Sequence, residues 1–215
     1  MRYGFYSPFY NEKVVEFAGI TGFDCMEIRA EPDSDLDIDL LGEDGIKSVT
    51  ETFRQNGVRV GTVCCSLNLL DGDLGKREKN IGYMKRMIKS VRKFGTDIIT
   101  TNVWGNRQIT PEENIPLFRK VYSEIAAMAE AEGVRIGFEN CPHFVGYPVP
   151  VGNIGYCPEM WEVLFNEVPS ENLGLEFDPS HLVWLGIDYI RALREFGNKV
   201  FACHAKDTEI LAHNL

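Results

Sequence analysis

Residues 174–181 read GLEFDPSH and place two acids and a histidine at the end of an apolar run. On a β-strand the side chains of Glu176 and Asp178 point to the same face, because they lie two residues apart. Pro179 ends the strand, and His181 follows within one turn. An unpaired charge in apolar surroundings is strongly unfavourable. The face that carries these residues must therefore be wet, ion-paired or bound to a metal ion.

This stretch belongs to one of seven short β-rich runs, which alternate with amphipathic helices. Apolar periodicity predicts strands at 2–6, 23–28, 58–64, 97–100, 134–140, 173–178 and 200–205. It predicts helices at about 11–20, 44–56, 75–94, 112–132, 158–166 and 187–197. Glycine C-caps follow several helices, as in AEGVRIGF at 131–138. Strands that alternate with helices favour a parallel sheet, either open or closed into a barrel.

Polar side chains gather where the predicted strands end. Glu139 ends the fifth strand, Asp178 the sixth and His204 the seventh. In parallel α/β folds the loops after the strands form the face that holds the active site, so we expect these three residues to converge. Two carboxylates and an imidazole suit one divalent ion: manganese, magnesium, cobalt or zinc.

Three ordered motifs, GFEN (137–140), EFDPSH (176–181) and HAKD (204–207), resemble those of the sugar phosphate isomerase/epimerase family. That family belongs to the xylose isomerase-like TIM barrels, which also include endonuclease IV. The resemblance covers the whole chain, 1–215, as a single α/β domain with a (β/α)8 TIM barrel fold. It implies that Glu139, Asp178 and His204 bind one metal ion, that Glu139 is also a catalytic acid/base, and that His181 contacts the substrate.

The resemblance also implies an eighth strand, which in the family supplies a fourth metal ligand and second acid/base glutamate. The last predicted strand, at 200–205, lies within a dozen residues of the final Leu215. We therefore expect a barrel truncated after strand seven and a chain that is catalytically crippled, or inactive, on its own. A shortened variant completed by a partner chain is the alternative.

Other polar and aromatic residues on the same face are expected to bind substrate. They are Trp104, Asn140, His143, Lys206 and Asp207. Trp104 could instead pack at the barrel rim. Glu176 could support a metal ligand or form an ion pair inside the barrel.

Composition narrows the class of protein. The chain has 215 residues and a net charge of -10, which argues against nucleic acid and anionic membranes as partners. No run is long and apolar enough to cross a bilayer, and the six cysteines match no zinc-ribbon or secreted pattern. We expect a cytoplasmic enzyme with reduced thiols that binds a small sugar and can form a homo-oligomer.

The expected reaction is metal-dependent isomerisation or epimerisation of a sugar, sugar phosphate or related polyol, by proton transfer through an enediolate. An inosose-type dehydratase and a non-catalytic barrel are alternatives. Endonuclease IV-like hydrolysis needs histidines after the second and third strands, where the sequence reads EIRAEP (27–32) and CCSLNLL (64–70). The sequence therefore disfavours the hydrolase.

Overall fold

The computed structural model describes residues 1–143 and 151–211. Within these ranges seven strands lie side by side in chain order in one sheet, and every neighbouring pair is parallel. The strands are β1 (Gly4–Ser7), β2 (Cys25–Arg29), β3 (Arg59–Cys64), β4 (Ile98–Thr101), β5 (Arg135–Glu139), β6 (Leu173–Phe177) and β7 (Val200–Cys203). This order is that of a TIM barrel, and the described residues contain no eighth strand.

Helices connect the strands. They are α1 (Glu12–Thr21), α2 (Ile38–Gln55), α3 (Leu74–Ser90), α4 (Ile115–Glu132), α5 (Pro158–Glu167), α6 (Pro179–Trp184) and α7 (Tyr189–Phe196). None of these helices has both the length and the apolar character needed to span a bilayer. Short 3-10 helices extend three of the connections, at Val91–Phe94, Glu112–Asn114 and Gly197–Lys199.

Two helices differ from the sequence prediction. α2 begins at Ile38 rather than at 44, because the Asp37 side chain caps it and a kink at Gly42 interrupts the apolar periodicity. Gly42 has φ 61°, which a residue with a side chain rarely adopts. α6 was not predicted as a helix: Asp178 caps its start and Pro179 occupies its first turn, so DPSH is a helix start.

The turn before β5 brings the chain back to the amino end of the sheet. Gly133 ends α4 in the left-handed conformation, with φ 61°, and its N–H bonds to carbonyls of the last helical turn. β5 begins two residues later and runs to Glu139. The acid therefore emerges at the carboxyl end of the sheet.

The register of the last three strands places the ends of β6 and β7 beside that of β5. Glu139 pairs with Glu176 across β5 and β6. Between β6 and β7 the register shifts at Leu175 and Glu176, so that Phe177 pairs with Cys203. The next backbone N–H, that of His204, donates to the Phe177 carbonyl at 3.0 Å. His204 and Asp178 thus leave neighbouring strands at the same level.

Large buried side chains between the sheet and the helices hold this frame. Phe118 and Tyr122 of α4 pack around Phe138 of β5, with ring centroids 6.3 and 5.5 Å from it. Trp161 of α5 packs edge-on against Phe177 of β6 at 6.1 Å. These aromatic residues are almost fully buried, so both strands that precede the acids rest on a rigid support.

Candidate active site and metal centre

The three predicted metal ligands meet at the carboxyl end of the sheet. Glu139 is the last residue of β5, Asp178 follows β6 and His204 follows β7. One ligand-capable atom from each lies within 4.8 Å of the other two. Asp178 is buried, whereas Glu139 and His204 are half-buried. The structure therefore brings together the side chains that the strand-end pattern selects.

Asp178 uses its two carboxylate oxygens differently. Oδ1 accepts hydrogen bonds from the Ser180 N–H at 2.9 Å and the Ser180 hydroxyl at 2.5 Å, which fixes the start of α6. Oδ2 is buried and receives no hydrogen bond of ordinary geometry from the described residues, although Lys206 Nζ lies 2.7 Å away. Burial would raise the pKa of Asp178, but contacts with His204, Lys206 and Ser180 outweigh it and hold that pKa well below its usual range. Oδ2 is thus an ionised oxygen whose close cationic neighbour is the half-exposed Lys206 side chain.

A chain of hydrogen bonds orients Glu139. Trp104 Nε1 donates to Ser66 Oγ at 2.8 Å, and Ser66 Oγ donates to Asn102 Oδ1 at 2.6 Å. Asn102 Nδ2 then donates to Glu139 Oε2 at 2.8 Å. Burial would raise the pKa of Glu139, but hydrogen bonds from His181 and Asn102 lower it below the ordinary value. The carboxylate is ionised and held in one orientation.

His204 lies between two layers of acids. Its Nδ1 is 3.6 Å from Asp178 Oδ2, and its Nε2 is 2.9 Å from Glu27 Oε2 and 3.3 Å from Glu176 Oε1. Thr100 donates to the other Glu27 oxygen at 2.5 Å. Burial would lower the pKa of His204, but the three carboxylates raise it well above its usual range. With Nε2–H donated to Glu27, Nδ1 is the nitrogen that faces the candidate metal position.

Two roles are expected for Glu176, namely support of a metal ligand or an ion pair inside the barrel. Glu176 lies within the barrel and is almost completely buried. Burial, with repulsion from Glu27, raises the pKa of Glu176 to about 8. Glu176 combines both expected roles, because its Oε1 contacts His204 Nε2 at 3.3 Å inside the barrel and helps to position that imidazole. Glu27 on β2 was missed as a member of this group, although an acid inside the apolar run CMEIR is a detectable signal.

His181 lies beside the three ligands, in the first turn of α6. Its Nε2 is 3.4 Å from both Glu139 Oε1 and Asp178 Oδ2, and 3.3 Å from Lys206 Nζ. Burial would lower the pKa of His181, but contacts with Cys141 and Glu139 raise it to about 9. His181 and Lys206 therefore form a cationic edge next to the acids.

Cys141, which lies two residues after Glu139, was not predicted as a site residue. Burial would raise the pKa of the Cys141 thiol, but hydrogen bonds from His143 and His181 lower it to about 6. The ring of His143 lies against that of Trp104, with centroids 4.3 Å apart. The two-residue spacing from Glu139, which puts side chains on one face of an extended chain, was the available signal.

The remaining predicted substrate residues are distributed unevenly. Trp104 and His143 form one aromatic wall, and Lys206 reaches the acids. Asn140 is buried, and its amide exchanges two hydrogen bonds with the Asp178 backbone, at 2.8 and 2.9 Å. Asp207 is exposed and accepts a hydrogen bond from the Thr208 N–H. Asn140 therefore ties the ends of β5 and β6 together instead of presenting a free amide.

The donor set fits one divalent ion. It offers two ionised carboxylates and an imidazole within 4.8 Å of one another. The buried Asp178 Oδ2 is paired with the Lys206 ammonium group at 2.7 Å, a position that a bound cation could take instead. Mixed oxygen and nitrogen ligands accept several divalent ions, so the residues alone do not select one metal.

The model of the xylose isomerase-like TIM barrel family matches residues 15–214. The chain belongs to this family. The family and fold expected from the GFEN, EFDPSH and HAKD motifs are thereby confirmed.

Relatives within the family include proteins with and without an assigned activity. The uncharacterised protein YfiH of Bacillus subtilis is 27% identical over 93% of this chain and 69% of its own length. Inosose isomerase of Bacillus velezensis is 28% identical over 87% of this chain. The chain spans 64% of the length of that isomerase.

Solved structures of other proteins share the fold. The IOLI protein with a bound zinc atom superposes with a TM-score of 0.77 at 24% identity, covering 98% of this chain and 74% of its own. D-psicose 3-epimerase, determined in the presence of D-fructose, gives a TM-score of 0.78 at 16% identity. It covers 95% of this chain and 72% of the epimerase.

Proposed function

We propose that the protein is a metal-dependent isomerase or epimerase that acts on a sugar, sugar phosphate or related polyol. The observation that carries this proposal is the meeting of Glu139, Asp178 and His204 within 4.8 Å at the carboxyl end of a parallel barrel sheet. The inosose isomerase and D-psicose 3-epimerase among the similar proteins support the substrate class.

Glu139, Asp178 and His204 are the residues that would hold the ion. When bound there, a divalent ion would polarise a substrate carbonyl and stabilise the negative charge that develops as the neighbouring C–H loses its proton. Glu139 is the proposed base for that proton, because it is ionised and the Asn102 amide fixes its orientation. Proton return from the same carboxyl group, or from a group on the opposite face, would complete isomerisation or epimerisation.

Neighbouring side chains would bind and orient the substrate. His181 is protonated at neutral pH, since its pKa is about 9, and can donate a hydrogen bond to a substrate hydroxyl or carbonyl oxygen. Lys206 adds a second cationic donor 3.3 Å from it. The adjoining rings of Trp104 and His143, tilted by 36° to each other, offer an aromatic surface for the apolar face of a sugar ring.

Dehydration of a polyol ring is the second candidate. The specific observation in its favour is the cationic pair His181 and Lys206, which could give a proton to a departing hydroxyl group. A product that contains one water molecule less than the substrate, as measured by mass spectrometry, would distinguish this reaction from isomerisation.

The test is isotope exchange in D2O. With manganese, magnesium, cobalt or zinc present, we expect deuterium to replace the proton on the carbon next to the carbonyl of D-fructose, D-tagatose or inosose. Proton NMR measures this exchange as the loss of the corresponding proton signal. Exchange needs one proton-transfer group, whereas inversion needs one on each face, so exchange tests Glu139 most directly. Glu139→Gln should slow it by roughly 100-fold or more.

The matched control is Asp97→Asn, in an exposed ion pair with Arg135 at the opposite end of the sheet, which should keep the wild-type exchange rate. Absence of exchange in every sugar with every metal would contradict the proposed function, and so would equal rates in Glu139→Gln and the wild type.

The proposal includes a cytoplasmic location. All six cysteines are free thiols, which agrees with a reducing compartment.

A further inference from the structure

Cys141 lies next to the proposed metal centre but takes no part in the reaction described above. Its sulfur, a nitrogen of His181 and an oxygen of Glu139 all lie within 4.8 Å of one another. We propose that Glu139, Cys141 and His181 form a second metal site, which binds a thiophilic divalent ion such as zinc. This goes beyond the proposed function, which needs one ion, held by Glu139, Asp178 and His204.

The three side chains supply a donor set typical of zinc. Sulfur, imidazole nitrogen and carboxylate oxygen from three residues leave a fourth position open for water or another ligand. Zinc bonds of roughly 2.0–2.3 Å in tetrahedral geometry require ligand atoms about 3.3–3.8 Å apart. His181 Nε2 and Glu139 Oε1 are 3.4 Å apart, which already meets that spacing.

The backbone that carries two of the ligands is held rigidly. The buried side chain of Asn153 donates from Nδ2 to the carbonyls of both Glu139 and Cys141, each at 2.8 Å. The residues lie two positions apart, so an extended chain directs both side chains to one face. The third ligand, His181, is fixed by the first turn of α6, which Asp178 caps. His181 must release its proton to coordinate an ion, so zinc in this site would replace the substrate hydrogen bond assigned to His181 above.

The surroundings of Cys141 favour a bound cation over an isolated thiol. The half-buried sulfur faces two imidazoles, those of His143 and His181, and the Glu139 carboxylate. Nε2 of His143 is buried and has no hydrogen-bond partner among the described residues. A divalent ion would be contacted by these donors directly or through a water molecule in its open position.

Glu139 is common to both sites, and its two oxygens allow it to bridge two ions, as carboxylates do in two-metal centres. The sites differ in chemistry. Glu139, Asp178 and His204 offer mainly oxygen and accept magnesium or manganese, whereas a thiolate ligand selects softer ions. Magnesium should therefore fill the first site and leave the second free.

Cobalt(II) titration of the intact chain tests the proposal, because a thiolate ligand gives cobalt a charge-transfer absorption in the near ultraviolet. We expect about two cobalt equivalents per chain and this absorption in the wild type. Cys141→Ser should lose the absorption and one equivalent while keeping the other. The control Cys25→Ser, at the amino end of β2, should keep both.

The outcomes separate this inference from the proposed function. One bound cobalt without thiolate absorption, or absorption that survives in Cys141→Ser, overturns the second site and leaves the first intact. If no cobalt binds, both sites are contradicted.

If Cys141→Ser does not fold, alkylation of the wild-type chain decides. Zinc, but not magnesium, should protect Cys141 from iodoacetamide as measured by peptide mass spectrometry, and equal alkylation rates would overturn the proposal.

Discussion

The two ends of the sheet differ in how their acidic side chains are arranged. At the amino end, Arg135 pairs with Asp97 through two hydrogen bonds of 3.0 Å, and both side chains are more than one-third exposed. At the carboxyl end four acids crowd together, and burial is substantial for all of them: Glu27, Glu139, Glu176 and Asp178. Asp97 at the amino end thus has a base of its own, whereas the carboxyl end concentrates acids around few cations.

This difference separates a structural ion pair from a site that is built to bind. An exposed pair contributes little to stability and needs no further partner. Crowded carboxylates in a buried position destabilise the fold unless a cation or proton offsets them, and such groups concentrate at functional sites. Contacts with His181, His204 and Lys206 already offset part of this crowding, and a bound divalent ion would stabilise the fold further.

The largest expected effect is that of Asp178→Asn. Loss of the buried anionic oxygen should weaken manganese binding by more than about 100-fold, because even groups that only support metal ligands contribute roughly 10–100-fold. Thermal unfolding with and without manganese measures this, since an ion that binds only the folded state raises the melting temperature. If manganese raised the melting temperature of the variant as much as that of the wild type, Asp178 would not be a metal ligand and the contrast between the two ends of the sheet would be wrong.

Metal affinity should also depend on pH. The pKa of His204 is raised well above its usual range, so the metal-free side chain is protonated at neutral pH and must release a proton to coordinate through Nδ1. The pKa of Asp178 is depressed, so this residue stays ionised and releases none.

Affinity should therefore fall by about tenfold per unit as pH decreases from about 8 to 6. The charged His204 itself stabilises the metal-free fold most fully below its unfolded pKa of about 6.5, and this contribution disappears as pH rises through the folded value. Calorimetric titration in two buffers of different ionisation enthalpy counts the released protons. An affinity independent of pH would show that His204 does not coordinate.

A smaller effect is expected for Glu27→Gln. The carboxylate accepts a hydrogen bond from His204 Nε2 at 2.9 Å and so orients the ligand without touching the ion. An amide keeps the shape but loses the charge, and manganese affinity should fall about tenfold. The cobalt absorption spectrum of the variant should differ from that of the wild type, because the ligand field changes. Identical spectra and affinities would show that Glu27 does not orient the metal ligand His204.

The smallest effect is expected at the amino end. Asp97→Asn should lower the free energy of unfolding by less than about 1 kcal/mol, because its ion pair is well exposed. Manganese affinity should not change. Urea denaturation and metal titration of the same preparation test both statements, and a loss of metal binding would mean that the two ends are energetically coupled.

Local periodicity predicts a parallel α/β sheet and the strand ends that carry the three candidate ligands, whereas the barrel was implied by the resemblance of the GFEN, EFDPSH and HAKD motifs. Alternation along each strand and the parallel sheet suffice to place Glu139, Asp178 and His204 at one end. α6 escaped prediction, since six residues are too few to show a helical period.

Contacts between distant parts of the chain could not be read from the sequence. His204 and Glu27 are separated by 177 positions, and their contact depends on the register shift between β6 and β7. The Asn102 hydrogen bond to Glu139 likewise joins two different strand ends. Pattern analysis identifies which side chains reach a face, but not which of them touch.

The most direct test of the central claim is an anomalous difference map from crystals grown with manganese. A peak coordinated by Glu139, by Asp178 Oδ2 and by His204 Nδ1 at roughly 2.0–2.6 Å is the predicted result. A map with no peak at saturating manganese, or with manganese bound only elsewhere, would contradict the account.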